Sequence, residues 1–247
     1  MELKDFFTAV PKAALGLSGG ADSAYLLYAG RSLGADIRPY YIKTVFQPAF
    51  ELEDAKKVCD FAGAELTVLE LDVLEAPQVR ENPADRCYYC KTALFSALAR
   101  RAKADGYSVI IDGTNASDQV SDRPGMRALK ELSVRSPLRE CGITKSQLRA
   151  LSAKAGLFTA EKPAYACLAT RIPAGREIRV EDLGRVERAE NALFEMGFTD
   201  FRVRLAGDAA RLQFPKSQLM RAAGQWDEIQ KALKNEFKTA ALDMKGR

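Results

Sequence analysis

Two groups of residues in this chain have the types and spacing for chemistry. The first is Ser18-Gly19-Gly20-Ala21-Asp22-Ser23, set between the apolar run Ala13 to Leu17 and the helix-like segment Ala24 to Ala29. A strand that enters a glycine-rich turn and leaves as a helix aims backbone N–H groups, a helix N-terminus and two hydroxyls at one point, which favours an anion. The stretch lacks the lysine of a Walker A loop, and it is not the GxGxxG dinucleotide fingerprint. Asp22 suits a Mg2+ ion bridging phosphate oxygens, because hard cations take carboxylate and phosphate oxygens. It also suits capping a helix that starts near Ser23.

The second group is Cys87-Tyr88-Tyr89-Cys90 at an expected helix start. Two thiols at this spacing converge on one metal or redox centre, and a helix N-terminus with Arg86 and Lys91 close by favours thiolates. A thioredoxin-like dithiol, half a zinc site and two incidental cysteines are the rival readings. Cys167 is the third candidate ligand, in an expected loop, Ala164 to Arg171, between breaks at Glu161-Lys162-Pro163 and Ile172-Pro173-Ala174-Gly175. Cys59 and Cys141 sit in no motif and read as small hydrophobes or turn residues. Three thiolates suit a 4Fe-4S cluster with one iron left open, since such clusters otherwise take four cysteines. The sequence has no histidine, which removes Ser-His-Asp triads, Cys-His dyads and His-ligated zinc together.

Further polar candidates lie elsewhere. Asp112-Gly113-Thr114-Asn115, followed by Ser117-Asp118 and Asp122-Arg123-Pro124-Gly125, reads as a loop at a strand end able to position nucleotide, metal or substrate. Arg202 and Arg204 share one strand face by period two, a spacing that could clamp a phosphate. The alternatives are a surface turn and a solvated charged face.

These residues need elements to position them. Strand-like runs at Ala13 to Leu17, Ile37 to Ile42, Glu65 to Leu71 and Ser108 to Asp112 alternate with helical stretches at Ser23 to Leu33, Glu51 to Ala62 and Tyr88 to Ala104. That is the pattern of a doubly wound parallel α/β sheet, whose ligand sits at the carboxyl ends of the strands. Thr144-Lys145-Ser146-Gln147 has capping-box spacing and opens a helix to about Ala155. From Val180 the pattern changes to a helix, a two-stranded pair around Gly207-Asp208, and one final helix over Ser217 to Phe237. The expected division is an α/β domain that carries both groups over 1–175 and a small C-terminal α+β domain over 176–247.

The chain has 247 residues, is 47% hydrophobic and 28% charged, and carries a formal charge of +4 without a block of Lys/Arg. It therefore reads as an ordinary globular protein whose partner is a small anion rather than nucleic acid. No apolar run approaches the ~18 residues of a membrane span. Met1-Glu2-Leu3-Lys4-Asp5 is too polar for a secretory signal, so a cytoplasmic location is expected.

Ser18 to Ser23 resembles the pyrophosphate loop of the PP-loop ATPases, which split ATP between the α- and β-phosphates. With Asn82 to Lys91, Asp112 to Asn115, Arg123 to Gly125, Arg135 to Leu138 and Lys162 to Pro173, the chain resembles the LarE family of ATP-dependent sacrificial sulfur transferases. That family acts on pyridinium-3,5-biscarboxylic acid mononucleotide in nickel-pincer nucleotide biosynthesis. The resemblance implies an adenine nucleotide α-hydrolase-like fold, with ATP on Ser18, Gly19, Gly20, Asp22 and Ser23 and with Gly113 and Thr114 near the nucleotide. It implies Mg2+ at Asp22, with Asp22 and Cys167 catalytic. It further implies a 4Fe-4S cluster on Cys87, Cys90 and Cys167 that passes on bound sulfide, or sulfur given up by Cys167 itself. Arg171, Arg202 and Arg204 would meet the anionic mononucleotide, and the protein would be a homo-oligomer. A PP-loop tRNA thiolase and a non-catalytic adenine-nucleotide binder with a structural metal are the other classes compatible with these residues.

Overall fold

The structure is a computed structural model and describes residues 1–118 and 124–246. Asp122 and Arg123 of the expected polar loop lie outside the described residues. In chain order the first elements are α1 (Leu3–Ala9), β1 (Lys12–Gly16), α2 (Ala21–Ser32), β2 (Asp36–Lys43), α3 (Ala49–Ala62), β3 (Thr67–Glu70) and α4 (Pro77–Arg80). Then come α5 (Arg86–Ala104), β4 (Ile110–Ile111), α6 (Pro124–Glu131), α7 (Pro137–Glu140) and α8 (Lys145–Lys154). The chain ends with α9 (Val180–Glu195), β5 (Arg202–Ala206), β6 (Ala209–Gln213), α10 (Lys216–Gly224), α11 (Trp226–Leu233) and β7 (Thr239–Leu242).

Two compact units divide these elements. One comprises Met1–Glu75 with Asp85–Lys162, the other Ala76–Ala84 with Pro163–Arg247. Residues 163–175, grouped with the ATP-binding part in the sequence reading, cluster with the C-terminal unit.

The first unit is α/β. Its parallel sheet has the order β3-β2-β1-β4, with Ala13 opposite Ile37, Leu15 opposite Ile111 and Ile42 opposite Leu69. Side chains alternate across a strand, and β1 uses both faces. Ala13 and Leu15 join a core with Phe6, Leu26, Leu27 and Val58, whereas Ala14 joins a separate core with Tyr40, Leu98 and Ala102. Helices therefore cover both faces, which is why β1 reads as an unbroken apolar run rather than an alternating one. The chain leaves β1 toward β2 and β3, and β4 lies on the opposite side of β1. Strand order thus reverses between β1 and β4, and the crevice at their carboxyl ends is where such sheets take ligands.

The second unit carries a three-stranded sheet, β5-β6-β7. β5 and β6 form the expected antiparallel hairpin, with Gly207 at φ +63 in its turn. Its core stacks Phe198, Phe201 and Phe214, ring centroids 4.8 and 5.6 Å apart. The single helix expected over 217–237 is two helices, parted at Gly224-Gln225, and β7 follows, parallel to β6. Glycine is a poor helix former, and Thr239-Ala240-Ala241-Leu242 has too few branched or aromatic residues to read as a strand.

Candidate active site

The turn after β1 is built by its own side chains. Ser18 Oγ lies 3.1 Å from Ser23 Oγ, the Ser18 N–H donates to Ser23 Oγ at 3.2 Å, and the Gly20 N–H donates to Ser18 Oγ at 3.3 Å. Gly19 has φ +71, and a Cβ there would sit 2.5 Å from the Glu51 carbonyl oxygen, so only glycine fits. α2 starts at Ala21 with Gly20 as its N-cap, two residues earlier than expected, and no side chain caps it. Asp22 is therefore inside the first helical turn rather than its cap, a position where the helix dipole still favours a carboxylate.

The turn after β4 comes close to this one. A Cβ on Gly113 would lie 2.7 Å from the Ser23 nitrogen, so glycine is what admits the approach. Asp112 is buried and accepts from Thr114 Oγ1 at 2.5 Å and from Ser136 Oγ at 2.6 Å. The Asp112–Asn115 and Arg135–Leu138 stretches are thus locked to each other, and Asp112 serves the loop's shape.

A cavity of about 500 Å³ opens between the two turns. Ser18, Asp22, Ser23, Gly113, Thr114 and Cys87 all line it. Cys87 reaches it from the first turn of α5, where it is exposed and the Arg86 guanidinium donates to its Sγ at 3.7 Å. Cys90 belongs to the same helix. Cys167 belongs to the second unit, where it precedes a 3-10 turn at Leu168–Arg171 and its carbonyl accepts from the Thr170 N–H at 3.0 Å. Among the described residues no three Cys, Asp or Glu side chains are gathered to hold a metal ion. A Mg2+ ion makes a smaller demand, since one or two carboxylates plus phosphate oxygens suffice, and Asp22 on the cavity wall fits it.

Two lysines at the site were not singled out by sequence reasoning. Lys145 Nζ lies 2.6 Å from Asp22 Oδ2, and Asn115 Nδ2 donates to Asp22 Oδ1 at 3.2 Å. Lys162 Nζ reaches the Gly19 carbonyl at 3.0 Å and Asp54 Oδ2 at 2.6 Å, tying the turn to α3. Lys145 was visible only as part of a helix start; Thr144 and Gln147 do form that capping box. Its approach to a residue 123 positions away carried no local signal.

The three arginines lie in the second unit, each engaged internally. Arg171 is 1% exposed and pairs with Glu190, Nε to Oε1 2.7 Å. Arg202 donates to the Ala164 carbonyl at 2.8 Å, and Arg204 to the Thr170 carbonyl at 2.6 Å. Burial, reinforced by the neighbouring Arg171 charge, lowers the Arg202 guanidinium to about 10 and lowers Arg204 in the same sense. Cys59 lies in the core at 2% exposure, where burial pushes its thiol up to about 12.

No known protein-family profile matches the chain. It is 28% identical over 238 residues to the pyridinium-3,5-bisthiocarboxylic acid mononucleotide synthase of Lactiplantibacillus plantarum, covering 95% of this chain and 86% of that one. It is 29% identical over 234 residues to the uncharacterised protein MJ0830 of Methanocaldococcus jannaschii, covering 94% and 89%. The uncharacterised protein slr1717 of Synechocystis sp. is 37% identical over 221 residues, 88% of this chain and 81% of that protein. At that identity and coverage, the chain belongs to the family of slr1717.

Proposed function

We propose that this protein is an ATP-dependent sulfurtransferase that adenylates a carboxylate of pyridinium-3,5-biscarboxylic acid mononucleotide and converts it to a thiocarboxylate in nickel-pincer nucleotide biosynthesis. The observation that carries the reading is one cavity at the β1/β4 reversal shared by Ser18, Asp22, Ser23, Gly113, Thr114 and Cys87. The similarity to a synthase of the corresponding bisthiocarboxylic acid supports the substrate.

Oxygen in a carboxylate is a poor leaving group, so sulfur can replace it only after activation. The substrate carboxylate attacks the α-phosphorus of ATP, the bond to pyrophosphate breaks, and an acyl-adenylate forms. The turn amides and the Ser18 and Ser23 hydroxyls receive the pyrophosphate, so positioning and charge stabilisation do most of the work. Mg2+ bound with the nucleotide supplies charge neutralisation at the phosphates. Asp22 is the residue that would hold it, and its ion pair with Lys145 must open to do so. A sulfur nucleophile then attacks the activated carbonyl carbon and AMP leaves with the former carboxylate oxygen. A thiolate needs no histidine to act. Cys167 is the proposed sulfur-bearing residue, and Arg171, Arg202 and Arg204 form the proposed substrate-phosphate subsite, three cations around the single carboxylate of Glu190.

Anaerobically purified protein given Mg-ATP, sulfide and the biscarboxylate mononucleotide should release pyrophosphate and AMP in step with thiocarboxylate. Pyrophosphate release that ignores the mononucleotide would overturn the proposal. Asp22→Asn should lower that rate by about 100-fold or more. Iron and acid-labile sulfide analysis separates the two sulfur sources: iron lost on replacing Cys87, Cys90 or Cys167 by Ala marks a cluster. An iron-free protein converted to dehydroalanine at 167 marks the cysteine's own sulfur.

A further inference from the structure

We propose that Lys91 is a catalytic residue whose ammonium binds a phosphoryl oxygen of the nucleotide in the cavity at the β1/β4 reversal. The inference rests on the nucleotide-binding part of the reading above. Lys91 lines the same cavity as Ser18, Ser23 and Thr114. It lies four residues after Cys87 on α5, hence on the same helix face.

Of Lys91, Lys145 and Lys162, Lys91 is the one whose ammonium has no acceptor among the described residues. Lys145 is taken by Asp22, and Lys162 by Asp54 and the Gly19 carbonyl. Lys91 has no hydrogen bond or ion pair among the described residues. Among the described residues, each carboxylate lining the cavity accepts hydrogen bonds from groups other than Lys91: Asp22 from Lys145 and Asn115, Asp112 from Thr114 and Ser136, Asp118 from the Asn115 N–H. A cation on a cavity wall whose acids are already bonded leaves room for an anionic ligand.

The Lys91 stem is also held. α6 begins against it, and a Cβ on Gly125 would lie 3.0 Å from Lys91 Cδ and 3.6 Å from the Cys87 carbonyl oxygen. Glycine at 125 lets α6 close on the α5 turn that carries both side chains. Packing that restricts the stem lowers the ordering cost of presenting the ammonium to a phosphate.

The test measures binding of AMP and of adenosine to the full chain by calorimetry, in wild type, Lys91→Ala and Lys91→Arg. Wild type should prefer AMP. Lys91→Ala should weaken AMP by about 10- to 100-fold, the range of a hydrogen bond to a charged group, and leave adenosine within about twofold; Lys91→Arg should keep most of the preference. Equal AMP binding by wild type and Lys91→Ala, equal weakening of both ligands, or no preference for AMP in wild type would each overturn the proposal. AMP binding that depends on Lys91 in a wild type releasing no pyrophosphate supports this proposal and removes the sulfurtransferase reading. Full turnover with Lys91→Ala indistinguishable from wild type removes Lys91 alone.

Discussion

Arg171 illustrates how far a residue's chemistry outruns its position in the sequence. The family resemblance implies a substrate contact for it, and in the structure its guanidinium is buried and bonded to both oxygens of Glu190. Glu190 also accepts from the Val203 N–H at 2.9 Å and from the Tyr165 hydroxyl. Removing one member of such a buried pair leaves an uncompensated charge, so Glu190→Ala should cost about 3–5 kcal/mol in urea unfolding. Cysteines divide by the same logic of burial. At pH 8, iodoacetamide should modify Cys87, which is exposed, and spare Cys59 until the protein is denatured; equal labelling of the two in the native state would contradict the placement of Cys59. That Cys59 and Cys141 stand outside any motif was legible in the sequence. That Asp22 is bonded to Lys145 was not, because the pairing depends on where α8 begins relative to α2.

The two turns that make the cavity depend on close backbone approach, and the approach depends on single glycines. Gly113→Ala would drive a methyl into the Ser23 backbone nitrogen, so ATP affinity should fall at least about tenfold while far-UV circular dichroism stays native. Beside β4, Arg135 adds a one-residue parallel bridge to Ile111 and pairs with Glu140 of α7. The Arg135 hydrogen bond holds the Glu140 carboxyl below the usual range, although burial opposes it. A depressed carboxylate stabilises the fold fully above its unfolded pKa of about 4.3, and the contribution is lost as pH falls through the lower folded value. Glu140→Gln should therefore flatten part of the acid limb of a stability-against-pH curve below about pH 4.3 and reduce stability at pH 7. Strands β1 to β3 and helices α2, α3, α5 and α8 were legible, because hydrophobic period and glycine-rich or capping punctuation agree there. The short helices α4 and α7 and strand β7 were not, since each is four residues long and held by tertiary packing rather than by its own pattern.

At the scale of the whole chain, the Asn82 to Lys91 motif belongs to both units. Asn82, buried at φ 56, donates to the Pro173 carbonyl at 2.8 Å and accepts from the Gly175 N–H at 2.8 Å within the second unit, while Asp85 onward belongs to the first. No described helix is long and apolar enough to cross a membrane. The mild charge of +4 without a basic block predicts that tRNA binds weakly and without the steep salt dependence of a nucleic-acid enzyme; tight, salt-sensitive binding in a filter assay would favour a tRNA thiolase instead. The sequence by itself determined the parallel α/β class, the glycine-rich strand-to-helix turn at Ser18 to Ser23 and the absence of histidine chemistry, because these follow from residue type and local period. Only the tertiary structure decided that Asp22 meets Lys145, that Arg171 is sealed against Glu190, and that Lys91 lines the cavity at the β1/β4 reversal without a partner among the described residues. Those facts depend on which distant elements pack together, and the burial and charge of each group follow from that packing.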